Sequence, residues 1–501
     1  MKHEDDDYQK VVASLKNRFR GNKQNSRGAT AVDICALTAL PLHTVRELLP
    51  KAADEYSGHL KVTESGEILY HYPNGFISKY RGFWAFLKKF TGKAASFLKK
   101  TAALFFKIWI MVMLVGYFVL FIALAVLTVV ISIAGKSSGK SRGGSGVFSI
   151  FELLIRLWFY SEITKTNYDY DYDYRRKPKT KEQKRPMHKA IFSFIFGEED
   201  PNKNWDEKLN KSVIAFLQAN NGVISLPEYM IFSGEDSLEA EKNILSFCSK
   251  YSGSPEATED GTIVYRFDEL LTRSDTGNSK ESTVGVQQIK EFSSNSKSKN
   301  AAFIIINAVN LIFGSYFLTQ SINFSQMLTN YYYMAALEKI VEEGSKMYAY
   351  THMIMEYLNF PNPHILIGVV LGVIPLVFSV FFWAVPLIRM FSEKKYNEKI
   401  KTNNFKRFGF NKIWSALKNI SIKSFTPPND LFRPKDINAA ADTVIKDIGA
   451  FSSPEVEINA SGETVYSFNE LEREKTALSK YRSTVDTSRL QLGKTVFDSN
   501  D

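Results

Sequence analysis

Cysteine is close to absent. The 501 residues include two, Cys35 and Cys248, 213 positions apart, which excludes a disulfide framework and a self-sufficient zinc or iron–sulfur centre. Histidine does not make up the deficit: the seven (His3, His43, His59, His71, His188, His352, His364) include no pair at the three-to-five spacing of a metal site. No Ser, Cys or Thr stands in a nucleophile elbow, and no paired-carboxylate site can be assembled from the sequence. The expectation is a protein that is not an enzyme, with no cofactor and no metal. An amino-terminal apolar core is missing too. Glu4, Asp5, Asp6 and Asp7 fall where a signal peptide would need one, which predicts a cytosolic amino terminus.

Long uncharged runs are present in an otherwise polar chain. Ile108 to Ala134 is 27 residues without a charge, more than the roughly 20 that cross a bilayer as helix. Ala301 to Leu318 carries Asn307 and Asn310, neighbours on one helix face, predicted to turn toward protein in lipid. Ile365 to Ile388 carries Gly368 and Gly372 at helix-packing spacing, with Pro375 and Pro386 expected to kink or end it. Residues 81–107 hold seven Lys/Arg and no acid, and residues 389–412 hold eight against two Glu. The positive-inside bias puts both flanks in the cytoplasm, and Ser321 to His364 becomes the external loop. Three crossings cannot return both ends to one side. Either Val147 to Ile163, read here as an interfacial amphipathic helix, crosses as well, or residues 104–134 fold back as a hairpin.

One pattern occurs three times in the polar parts. A Gly is followed four residues later by Tyr and six later by an aromatic: Gly66, Tyr70, Tyr72; Gly261, Tyr265, Phe267; Gly462, Tyr466, Phe468. Alternating residues such as Leu60 and Val62, or Val456 and Ile458, precede the Gly and predict two strands around a turn. Helical periodicity before each hairpin completes a small winged-helix-like module, over 31–80, 190–273 and 428–475. The expected fold class is therefore α+β with transmembrane helices, a multi-pass membrane protein carrying three such modules. A polar tail (1–30) and a carboxyl-terminal tail (476–501) flank them.

The net charge of +10 is unevenly placed. Residues 32–73 hold three basic and six acidic side chains, 205–273 six and twelve, and 430–474 four and ten. The modules thus sum to −15, leaving +25 elsewhere. DNA binding by acidic modules is disfavoured, since phosphate neutralisation supplies most non-specific affinity. The basic clusters, including Lys88, Lys89, Lys99, Lys100, Arg175, Arg176, Lys394 and Lys395, point to anionic lipid headgroups. Ala134 to Ser141 fits a loose phosphate-loop pattern, but a membrane span precedes it and Arg142-Gly143-Gly144-Ser145-Gly146 follows, so a basic linker is the better reading.

The run Phe192-Ser193-Phe194-Ile195-Phe196-Gly197-Glu198-Glu199-Asp200-Pro201-Asn202, with Asn221-Gly222-Val223-Ile224, Gly253-Ser254-Pro255-Glu256 and Asp260-Gly261 through Tyr265-Arg266-Phe267, resembles a family of uncharacterised membrane proteins of cyanobacteria and chloroplasts. The resemblance covers residues 81–271 at most. The family usually has Gly-Asp-Gly where this chain has Gly197-Glu198-Glu199. Some plant relatives carry an iron–sulfur-assembly label, for which this chain has no matching cysteines. The functional expectation is a scaffold in the bacterial inner membrane whose acidic modules bind protein partners at the cytoplasmic face, with self-association left open. The alternatives are a membrane-bound transcriptional or signalling regulator, and a transporter accessory or small-molecule sensor with its site by Asn307, Asn310 and the last span.

Overall fold

The computed structural model describes residues 2–19, 28–73, 75–79, 98, 101–134, 185–274, 285–460, 462–486 and 492–499. In chain order the first elements are α1 (Lys2–Arg18), α2 (Ala31–Thr38), α3 (Leu42–Glu55), β1 (His59–Thr63), β2 (Ile68–His71), α4 (Thr101–Ile133) and α5 (Met187–Phe196). Next come α6 (Trp205–Ala219), β3 (Val223–Ser225), α7 (Leu226–Ser233), α8 (Ser237–Tyr251), β4 (Ser254–Ala257) and β5 (Ile263–Arg266). The rest are α9 (Lys297–Asn330), α10 (Tyr333–Glu342), α11 (Lys346–Tyr357), α12 (Pro363–Ala416), β6 (Ile420–Ser421), α13 (Ile437–Gly449), β7 (Glu455–Ile458), β8 (Thr464–Ser467), α14 (Asn469–Thr484) and β9 (Thr495–Asp498). This mixed, helix-rich α+β chain forms two compact units. One is Met1–Thr91, Glu199–Lys290 and Lys394–Asp501; the other is Gly92–Glu198 and Glu291–Glu393.

In the first unit, local chemistry sets where helices begin. Thr30 and Asp33 close a capping box on α2, and Ser225 and Glu228 close another on α7. Asp236 and Asp436 cap α8 and α13. The three hairpins turn alike: Gly66, Gly261 and Gly462 have φ near +80°, +80° and +77°, a backbone region that glycine enters without a Cβ penalty. Each hairpin belongs to a three-stranded antiparallel sheet, ordered β2-β1-β9, β3-β5-β4 and β6-β8-β7. One hydrophobic core runs through the whole unit, from Val32 and Leu49 through Met230 and Phe247 to Phe410 and Val444.

Both expected tails are folded. Residues 1–30 supply α1, whose Val11, Val12 and Leu15 share a helix face and are buried in the core. Residues 476–501 supply the end of α14, with Leu478 packed on Val223 and Val264, and β9, which pairs with β1. The basic segment 389–427 is also more than a bilayer flank, because Phe405, Phe410 and Ile413 of α12 are fully buried in this core. Apolar residues spaced among the basic ones explain the difference, and one of the cations, Arg407, is itself buried, donating to the Phe232 and Ser233 carbonyls.

The second unit contains α4, α5, α9, α10, α11 and the first part of α12. Among the described residues three helices, α4, α9 and α12, are long and apolar enough to cross a membrane. Residues 104–134 lie in one continuous helix, not a hairpin, with a π-turn at Val112–Gly116. Pro386 does not end α12, which continues to Ala416; a π-turn over Ile367–Val373 precedes Pro375. Local widening of the helix is one way that freed backbone groups are re-satisfied in a spanning segment. The expected external loop at 321–364 is largely helical. α9 runs on to Asn330, and α10 and α11 bury Ala336, Leu337 and Ile340, then Tyr348, Ala349 and His352.

α5 belongs to this second unit rather than to a module over 190–273. Its Ile191, Phe194 and Ile195 pack with Ile110 and Leu114 of α4, Phe303 and Ile306 of α9, and Phe378 and Phe382 of α12. A separate cluster gathers Phe121, Phe317, Phe324 and Ile367 with α10 and α11. The starts of α4 and α9 and the apolar stretch of α12 before Arg389 therefore meet at one end of the bundle. The segment 147–163 lies outside the described residues.

Candidate functional site

Inside the bundle, polar side chains bind helix to helix. Asn307 and Asn310 are fully buried on α9. Asn307 Nδ2 donates to the Ser379 carbonyl at 3.0 Å, and Asn310 Nδ2 to the Leu114 carbonyl, in the α4 π-turn, at 2.8 Å. Each such bond between spans contributes about 1 kcal/mol. Glycine allows the closest approach nearby: a Cβ on Gly372 would stand 2.9 Å from Leu318 Cα, and one on Gly368 would run into Ser321 Oγ. The four residues named from sequence thus all lie where α9 meets its neighbours.

At the α5 end of the bundle, Arg389 donates to the carbonyls of Ser193 (3.2 Å), Phe194 (3.0 Å) and Phe292 (2.7 Å), its guanidinium over the Phe292 ring. Two of these carbonyls are in the last turn of α5, where Ser193 O also accepts from the cap amide of Gly197 at 2.9 Å. Beside them Glu198 Oε1 accepts from Ser193 (2.7 Å), Arg185 (2.6 Å) and Ser294. Burial works to raise its pKa, but hydrogen bonds from Ser294, Ser193 and Arg185 hold the carboxyl down at about 2. Glu198 is an anchored anion, fixed in its ionised form.

At the other end lies a buried imidazole. Tyr333 Oη donates to Glu356 Oε2 at 2.7 Å and lies 3.0 Å from His352 Nδ1. A hydroxyl has one proton, so Nδ1–H of His352 must donate to the tyrosine oxygen. Nε2 is then a bare lone pair, buried and without a partner among the described residues, as is the Tyr348 hydroxyl. Rings of Phe324, Tyr348 and His364 surround it. Burial pushes the His352 pKa down to about 4, against the pull of Glu356. The group is neutral near pH 7 and takes up a proton only in acid.

The first unit holds a buried polar group of opposite kind. Glu228 of α7 accepts from the Ser225 amide (3.2 Å) and from both terminal nitrogens of Arg482 (3.0 and 2.6 Å). Glu474 lies two turns before Arg482 on α14 and is buried; burial, with the Glu228 charge adding to it, pushes its carboxyl up to about 8. It carries a proton at neutral pH. No group of three or more His, Cys, Asp or Glu suited to a metal occurs among the described residues.

The same unit presents its three hairpins differently. β1 is covered on its outer edge by β9, whereas β7 has no second neighbour among the described strands and is exposed along its length. Of the lysines and arginines assigned to lipid headgroups, Lys394 and Lys395 are exposed on α12, and Lys88, Lys89, Lys99, Lys100, Arg175 and Arg176 lie outside the described residues. Sequence reasoning missed the Tyr333–His352–Glu356 and Glu228–Arg482–Glu474 assemblies. The four-residue spacing of His352 and Glu356 was the one local signal.

No known protein family matches the chain in a family comparison, and no solved structure matches it. An uncharacterised chloroplastic protein of Arabidopsis thaliana is similar, 24% identical over 411 residues, which cover 77% of this chain and 69% of the plant protein.

Proposed function

We propose that this protein is a multi-pass, membrane-anchored scaffold, its acidic winged-helix-like modules docking partner proteins at the cytoplasmic face of a bacterial inner membrane. The observation that carries the reading is the third hairpin. In a region of ten acidic and four basic side chains, β7 is exposed along its length and, among the described residues, pairs with β8 alone. An acidic surface of this kind repels nucleic acid and leaves backbone hydrogen-bonding groups free for a protein partner. The first unit's single core, shared by segments of residues 1–91, 199–290 and 394–501, supports a reading in which that unit lies on one side of the bilayer.

Crosslinking in intact membranes followed by mass spectrometry tests the scaffold. Recurrent partners joined to residues 430–475 are expected, and recovery of no stable partner would undercut the reading. Tight, salt-sensitive DNA binding by the full chain in a mobility-shift assay would replace it with a membrane-bound regulator.

A further inference from the structure

The three hairpins present one equivalent edge three times, with three different fates. Thr63 N bonds Glu67 O, Thr258 N bonds Thr262 O, and Asn459 N bonds Glu463 O. Backbone direction alternates along a strand, so Lys61, Glu256 and Glu457 also face inward to the hairpin partner. Leu60 and Val62, Pro255 and Ala257, Val456 and Ile458 therefore turn their backbone groups outward. On the first hairpin β9 takes that outward row: Ser499 N donates to Leu60 O at 3.0 Å, Phe497 stands opposite Val62, and Asp498 opposite Lys61 pairs with its ammonium at 2.7 Å. On the second, Pro255 removes an outward N–H and blunts the edge. On the third, Val456 and Ile458 are 58% and 76% exposed. Counting from the turn, Ile458 corresponds to Val62 and Glu457 to Lys61.

We propose that β7 is a docking edge for an extended segment of a partner protein in which an aromatic or aliphatic residue is followed by Lys or Arg. The segment adds as an antiparallel strand in the register β9 uses on β1. Its apolar side chain covers Ile458, its cation pairs with Glu457, and a second cation two residues on meets Glu455. This names the partner chemistry of the scaffold and rests on that reading. Charge decides the occupant. β9 of a second copy would set Asp498 against Glu457, and β7 against β7 would bring glutamates together; like charges facing each other across strands are destabilising.

The test uses the full chain in nanodiscs and a fluorescent peptide of residues 494–500 carrying Asp498→Lys, with the unaltered peptide as comparison, read by anisotropy. The altered peptide is expected to bind about tenfold more tightly, as a cross-strand charge pair replaces a repulsion. Glu457→Lys should reverse the preference, and Ile458→Thr should weaken both peptides several-fold with circular dichroism unchanged. Equal binding of the two peptides, no saturable binding, or a preference unmoved by Glu457→Lys would overturn the proposal. Partners still crosslinked in membranes by the Glu457→Lys chain would remove the edge and leave the scaffold standing. Saturable, charge-dependent peptide binding without any recovered partner would support the edge and remove the scaffold.

Discussion

Two buried titratable groups, one in each unit, are both neutral near pH 7, yet they oppose each other in what acid and alkali do to them. Glu474 is held protonated, its pKa raised to about 8, and His352 is held unprotonated, its pKa lowered to about 4. Desolvation is the main cause in both, because it penalises whichever form is charged. The neighbours differ. The nearby Arg482 is taken up by Glu228, whereas His352 is tied through Tyr333 to a carboxylate whose charge favours any proton it gains. Burial alone thus produces opposite pH responses, with pairing setting how firmly each group is held.

The comparison can be broken most severely at the cation that holds Glu228. Arg482→Ala leaves Glu228 buried without its guanidinium, for an expected loss of about 3–5 kcal/mol in the first unit, read as a fall in the urea midpoint of the detergent-solubilised chain. Glu474 should act next. Its folded pKa lies above the unfolded value, so its contribution is complete below about pH 4.5 and is lost as pH rises through about 8. Glu474→Gln should therefore flatten the alkaline decline, gaining on the order of 2–4 kcal/mol over the parent at pH 9 and nothing at pH 4. An unchanged alkaline limb would show that Glu474 is ionised in the folded chain.

His352 has the reverse sign. Its folded pKa is depressed, so stability is full above about pH 6.5 and is lost as pH falls toward 4. His352→Phe should remove about 2 kcal/mol of that acid lability, seen as a thermal midpoint in detergent that stays level from pH 7 to 4. The smallest effect belongs to Tyr333→Phe, about 1 kcal/mol, because it removes the hydrogen bonds to Glu356 and from Nδ1 of His352 without removing either partner. Direct imidazole titration by NMR should move in that variant; an unmoved titration would mean that the hydroxyl does not set the tautomer.

The parts of this molecule legible in its sequence are those governed by neighbours in the chain. Twenty-seven uncharged residues announce α4, and a Gly with alternating residues before it announces the β1–β2 and β7–β8 turns. Asn307 and Asn310 stand out because amides are costly in an apolar run. The buried assemblies were not legible, because their members arrive from afar: Arg482 reaches Glu228 across 254 positions. The tails were misjudged for a related reason. Val11, Val12 and Leu15 are a weak apolar signal among charges, and β9 has no partner until the chain returns to β1.

That return sets an order on biosynthesis. β1 ends at Thr63 and its outer neighbour begins at Thr495, so the edge stays open while more than 400 residues, including every candidate span, are made and inserted. At about 5–20 residues per second the wait is roughly 20 to 90 seconds. Through that interval the nascent first hairpin exposes the row of amides and carbonyls that β9 later covers, so a chaperone or the ribosome-bound insertion machinery has a defined strand to shield.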